Sequence, residues 1–88
     1  MVYELVVSKK VDKLFFKLSK KDKHQLRIID NKIKQILENP YKFKPLRGNM
    51  KNKWRVHVGK SFVLVYEILE DKNVVVILDY NHHDKIYY

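Results

Sequence analysis

Apolar and polar residues alternate along VYELVV (residues 2–7), with Tyr3 and Leu5 on one side and Glu4 on the other, the period-two pattern of a strand. Ser8 is placed to cap a following helix. Val11, Leu14, Phe15 and Leu18 then recur at i, i+3, i+4 and i+7 and give that helix one apolar stripe. Ser19 is expected to cap a second helix, striped by Leu26, Ile29, Ile33, Ile36 and Leu37 and stopped at Asn39-Pro40, since proline disfavours helix in the residue before it. A basic loop, YKFKPLRGNMKNK, leads into three apolar runs: WRVHV (54–58), SFVLVYEIL (61–69) and VVVILDY (74–80), joined by Gly59-Lys60 and by the EDKN turn. Strands joined by such short turns are antiparallel neighbours. The pattern predicts a β-α-α-β-β-β chain: an N-terminal strand, a helical hairpin and a three-stranded antiparallel meander. These form a two-layer α+β fold, read as a single domain over residues 1–88.

The helical hairpin covers one face of the sheet and leaves the other open. Trp54, Val56 and Val58 are expected to face the helices, which sends Arg55 and His57 to the open side. The opposite assignment would bury unpaired charge at a cost of several kcal/mol. Arg55 and His57 then stand about 7 Å apart along the strand.

Charge sharpens this picture. Residues 1–52 carry 14 Lys and Arg against 5 Asp and Glu, whereas residues 53–88 carry 5 of each, so the first half holds the whole net charge of +9. Such asymmetry points to a basic face aimed at a polyanion, and an acidic, partly helical protein partner suits the same surface. Cysteine is absent, which rules out disulfides and thiolate metal sites. The first apolar run is too short for a signal peptide, and no window approaches the roughly 20 apolar residues of a membrane span. A soluble, cytoplasmic protein with no membrane association is expected.

The closing NHHDKIYY (81–88) gathers imidazole, phenol and ammonium groups. If it folds back over the open face, His83 and Tyr87 join Arg55 and His57 in a cluster suited to a phosphodiester. Arginine grips phosphate with a bidentate fork, imidazole exchanges protons near neutrality, and tyrosine stacks on a base. A metal site is not expected, because adjacent His82 and His83 diverge on extended chain and Asp84 is their only local carboxylate. No serine sits in a nucleophile motif, and Gly48 and Gly59, the only glycines, form no phosphate loop.

The sequence resembles the RelE/ParE toxin superfamily, and its RelE branch more closely. The resemblance covers nearly the whole chain and rests on the element order, PLRG at 45–48, WRVHV, FVLVYEI at 62–68, and a close similar to the family's His-Arg-x-x-(Ile/Val)-Tyr. It implies the toxin of a type II toxin–antitoxin pair: a cofactor-free, metal-independent endoribonuclease that cuts mRNA in the ribosomal A site by 2′-OH attack, held in check by an antitoxin. Arg55 and His57 fall at same-face positions often occupied by Lys or Arg, and Tyr87 matches the closing tyrosine. His83 replaces the tail arginine, and Val63 stands where well-known active members have an arginine. The resemblance makes Arg55 the phosphate holder, His57 and His83 the acid–base candidates in an order left open, and Tyr87 the nucleotide contact. Arg47, Lys51 and Lys53 would clamp the RNA backbone, while Lys20, Lys21 and Lys23 would meet ribosomal RNA by charge. The alternative is a ParE-type member, which shares the fold but poisons DNA gyrase without nuclease activity, or a degenerate, non-catalytic homologue.

Overall fold

Ser8 ends the first strand and starts the first helix: its hydroxyl accepts from the Val11 N–H at 3.3 Å, satisfying one of the helix's orphan donors. In the computed structural model, which describes residues 3–46 and 52–86, β1 (Glu4–Val7) leads into α1 (Lys9–Lys21) and α2 (Lys23–Glu38). Then follow β2 (Lys44–Pro45), β3 (Lys53–Val58), β4 (Phe62–Leu69), β5 (Val74–His82) and a single-turn α3 (His83–Ile86). A 3₁₀ turn at Glu70–Lys72, closed by Asn73 in the left-handed region at φ 53°, joins β4 to β5. No helix among the described residues is long and apolar enough to cross a membrane.

The α+β architecture matches the sequence reading, with three differences. The sheet has five strands in the order β1-β5-β4-β3-β2, and it is mixed: the meander β3-β4-β5 is antiparallel, but β1 lies parallel to β5. A two-residue strand, Lys44–Pro45, forms inside the basic loop and pairs with Arg55 and Trp54. The helix boundary is also later than Ser19. That residue lies within α1 and bonds back to the Phe16 carbonyl at 2.6 Å, while Asp22 caps α2 by accepting from the Gln25 N–H at 3.0 Å.

The core lies between the hairpin and one face of the sheet. Val11 of α1 and Ile29, Ile33 and Ile36 of α2 pack against Val56, Val58, Leu64, Tyr66, Ile68, Val75, Ile77 and Tyr80. Each such aliphatic side chain stabilises the fold by about 1.5–3 kcal/mol on full burial. The two buried phenols are partnered: the Tyr66 hydroxyl donates to the Pro40 carbonyl at 2.6 Å, and the Tyr80 oxygen accepts from the Gln25 amide at 2.7 Å. Tyr66 thereby ties the end of α2 to the central strand and fixes where the following segment, Lys42–Pro45, begins its run along β3.

A bulge decides which residues of β5 face away from the helices. The β4–β5 register pairs Val65 with Asp79 but Tyr66 with Ile77, leaving Leu78 as the extra residue. Beyond it, Tyr80 and His82 take the core side opposite Leu64 and Phe62, and Asp79 and Asn81 take the uncovered side. A straight strand would have turned Asp79 into the core, because a one-residue slip inverts every side chain.

Candidate active site on the uncovered face of the sheet

The face away from the helices is a lined surface with an apolar floor. Val63 and Val65 of β4 are 0% and 4% exposed, although neither belongs to the helix-side core. Their strand partners are the reason: His57 and Asn81 flank Val63, and Arg55 and Asp79 flank Val65. Val63, at the position where the resemblance anticipates an arginine, thus forms part of the floor.

Alternation along β3 distributes its side chains as the sequence required. Val56 and Val58 are buried and Trp54 packs against the core, while Arg55 is half-buried and His57 exposed. The Arg55 Nη1 lies 3.4 Å from the His57 Nε2. A guanidinium only donates, so Nε2 accepts and the ring proton of a neutral imidazole sits on Nδ1. The tail then completes the cluster. The His83 N–H donates to the Ser61 carbonyl at 2.7 Å, which anchors α3 beside the β3–β4 turn. The His83 ring stacks on His57, with centroids 5.8 Å apart and planes inclined by 17°. Arg55, His57 and His83 are therefore brought together.

Partial desolvation against the sheet face, although the ring stays largely exposed, holds the His57 imidazole below its ordinary value, with further lowering by the Arg55 guanidinium, His83 and the Lys44 ammonium. All four causes disfavour a second proton on this ring. A histidine in this condition is neutral at pH 7 and free of the cost of losing a proton before it can accept one. It also links folding to pH. Between the depressed value and the ordinary one near ~6.5, the unfolded chain binds a proton that the folded chain does not. Folding stability is therefore expected to fall as pH is lowered through that window and to be restored above it. Denaturant unfolding at about pH 7.5 and about pH 5.5 checks this, and His57→Gln should flatten the difference.

The remaining candidates are distributed as follows. Lys53 shares the face of Arg55 and His57 and stands opposite Glu67. Lys20 and Lys21 end α1 and Lys23 begins α2. Of these, Lys21 lines a cleft with Asn81 and Phe62 at the site's end of the sheet, whereas Lys20 lies over the exposed Phe16 ring at 4.9 Å. Arg47, Lys51 and Tyr87 lie outside the described residues. His82 does not reach the open face: it sits on the core side, edge-on to Phe62 at 5.7 Å. Its Nδ1 accepts from the Asp84 N–H at 3.3 Å. Among the described residues, no group of three His, Cys, Asp or Glu side chains could hold a metal ion.

One neighbour escaped the sequence reading, and a second was weighed there only as a metal ligand. Lys44 lies directly across from Arg55. Only a two-residue strand that includes a proline puts it there, too short a run for any periodicity to reveal. The cluster also has an acidic neighbour, because an Asp84 carboxylate oxygen is 3.6 Å from the His83 Nδ1. That spacing could have been suspected from the adjacent positions in the chain.

The basic cluster thus lies on the uncovered face of a mixed sheet backed by a helical hairpin, and similarity to known proteins places the chain among the toxins of type II toxin–antitoxin systems. It matches the family described as the ParE toxin of the type II toxin–antitoxin system, parDE, over residues 5–87, and it belongs to that family, within the RelE/ParE toxin superfamily. A Methanosarcina mazei protein of unassigned function is 48% identical over 86 residues, covering 98% of this chain and 100% of that protein. A RelE4 toxin candidate of Methanocaldococcus jannaschii is 42% identical over 86 residues, covering 98% of this chain and 92% of that protein. Among solved structures, the toxin–antitoxin complex RelBE of E. coli contains a chain that superposes with a TM-score of 0.77 at 25% identity, over 91% of this chain and 95% of that one.

Proposed function

We propose that this toxin is a RelE-like endoribonuclease that acts in the cytoplasm on mRNA in the ribosomal A site, and that an acidic antitoxin restrains it. The observation that carries the reading is the pair of imidazoles, His57 and His83, stacked beside the Arg55 guanidinium on one face. In this reading the scissile phosphate takes over the Arg55 guanidinium, which frees the lone pair on the His57 Nε2. His57 accepts the ribose 2′-OH proton as the oxygen attacks phosphorus. The bond from phosphorus to the 5′-oxygen breaks, His83 gives that oxygen a proton, and a 2′,3′-cyclic phosphate is left. Arg55 balances the charge that grows on the non-bridging oxygens, and Tyr87 contacts the nucleotide. Lys53, Arg47 and Lys51 hold the backbone, with Lys20, Lys21 and Lys23 adding attraction to ribosomal RNA. The RelE4 name of a relative and the RelBE complex support both the activity and the antitoxin partner.

The family description favours a second reading, a ParE-type gyrase inhibitor with no nuclease activity. One experiment separates the two. The purified toxin is added to ribosomes programmed with a defined message, and in parallel to DNA gyrase with relaxed plasmid. Cleavage at the A-site codon, yielding a 2′,3′-cyclic phosphate end, is the expected result. An intact message together with blocked supercoiling would overturn the nuclease reading.

A further inference from the structure

Beside Arg55 and His57, past the end of the two-residue β2, a cleft of about 320 Å³ opens between α2 and the sheet edge. Lys32, Lys42, Phe43 and Lys44 line it together with Arg55 and His57. None of the lysines was singled out by the charge pattern, because they come from two elements. Lys32 projects from α2, and the other two flank Phe43 on the chain entering β2. The Phe43 ring is half-buried and packs against the core. The Lys42 and Lys32 ammonium groups stand 5.7 and 6.0 Å from its centroid. Among the described residues, no carboxylate lies within ion-pair distance of Lys32, Lys42 or Lys44.

Three ammonium groups grouped without a counter-charge repel one another, at a cost that an anion seated among them would reverse. An aromatic ring in their midst gives the same cleft a flat apolar surface. Positive groups that track a backbone, with an aromatic that takes a base, are the two elements of single-strand recognition. Continuity with Arg55 fixes the position: whatever fills the cleft is the immediate neighbour of the group held by the guanidinium.

We infer that this cleft seats the nucleotide adjoining the scissile phosphate of single-stranded RNA, its phosphate among Lys32, Lys42 and Lys44 and its base on Phe43. The inference rests on the RNA reading above for its ligand, but its test does not need cleavage. The probe is a fluorescent 2′-O-methyl RNA hexamer, which lacks the attacking hydroxyl. Its affinity is measured by anisotropy across a salt series for the wild type, Lys32→Ala/Lys42→Ala and Phe43→Leu, each checked for an unchanged circular dichroism spectrum. Each single-strand phosphate neutralised contributes about 0.7 to the slope of log affinity against log salt, so the double lysine variant, which loses its hold on one phosphate, should lose about 0.7 of that slope. Phe43→Leu keeps an apolar plug but no stacking surface. It should weaken binding by about 5- to 150-fold, the range of one base–aromatic stack, with the slope unchanged.

An unaltered slope in the lysine variant would overturn the phosphate seat, and unaltered affinity in Phe43→Leu would overturn the base seat. Competition by hexaglutamate that is lost in the lysine variant to the same degree as RNA binding would also overturn it, showing an acidic-peptide surface instead. Reduced slope in a protein that leaves ribosome-bound message intact would refute the nuclease reading and retain the cleft. Wild-type cleavage with an unaltered slope would do the reverse.

Discussion

His57→Ala is expected to slow cleavage of ribosome-bound message by about 10²- to 10⁴-fold, the usual worth of one general acid–base group, or about 2.7–5.4 kcal/mol at 1.36 kcal/mol per decade. The side chain is exposed on a sheet face that no helix covers, so its removal leaves the core intact and the unfolding midpoint close to that of wild type. Single-turnover cleavage beside a thermal melt separates a lost proton acceptor from a lost fold. His83→Ala should fall in the same range. The rings lie nearly parallel with centroids 5.8 Å apart, and if they serve one phosphodiester as proposed, the double variant should be impaired far less than the product of the single effects. A strictly multiplicative double variant would show two independent groups and refute the paired assignment.

Leu64→Ala is expected to cost about 2–5 kcal/mol, a large share of the roughly 5–15 kcal/mol that holds a domain together. Leu64 is fully buried on the central strand, in register with Val56 on one side and Tyr80 on the other. Neighbours anchored in three strands cannot collapse into the space left behind. Urea unfolding should show the midpoint fall with little change in slope. Leu64→Met, which nearly conserves volume, should cost less than about 1.5 kcal/mol. The adjoining Val63 and Val65 form the floor of the candidate site, so the alanine variant should also lose activity at temperatures where it is still mostly folded.

The facing of the candidate site was legible where one strand's alternation settled the matter. In WRVHV the apolar residues could only face the helices, which put Arg55 and His57 together on the other side. The tail's approach came from resemblance rather than periodicity, and the stacked His57–His83 rings agree with it. Other features rest on relations that no local pattern carries. Parallel pairing of β1 with β5 joins residues some seventy positions apart. Ser19 and Asp22 are both good capping residues, and the helix runs on to Lys21 because Ser19 satisfies its hydroxyl on its own helix, at the Phe16 carbonyl. The bulge at Leu78 reverses the facing of everything after it. That sends His82 to the core side and Asp79 to the uncovered side, where Lys10 meets it at 3.2 Å.

The parallel β1–β5 pairing also sets when a newly made chain can complete its sheet. Glu4 is among the earliest described residues synthesised, yet its ladder partner is Val74, and the Ser8 hydroxyl that caps α1 also reaches the Leu78 carbonyl at 3.4 Å. The first strand therefore waits, without its neighbour, while the helices and the first strands of the meander are made. Such distant pairings close slowly. His57 emerges well before His83, so a partly translated chain carries one half of the imidazole pair and no sheet edge on which to dock its own beginning. The sheet gains its β1 edge only once β5 has been made and released, and until then an unpaired β1 offers any passing strand an edge to occupy.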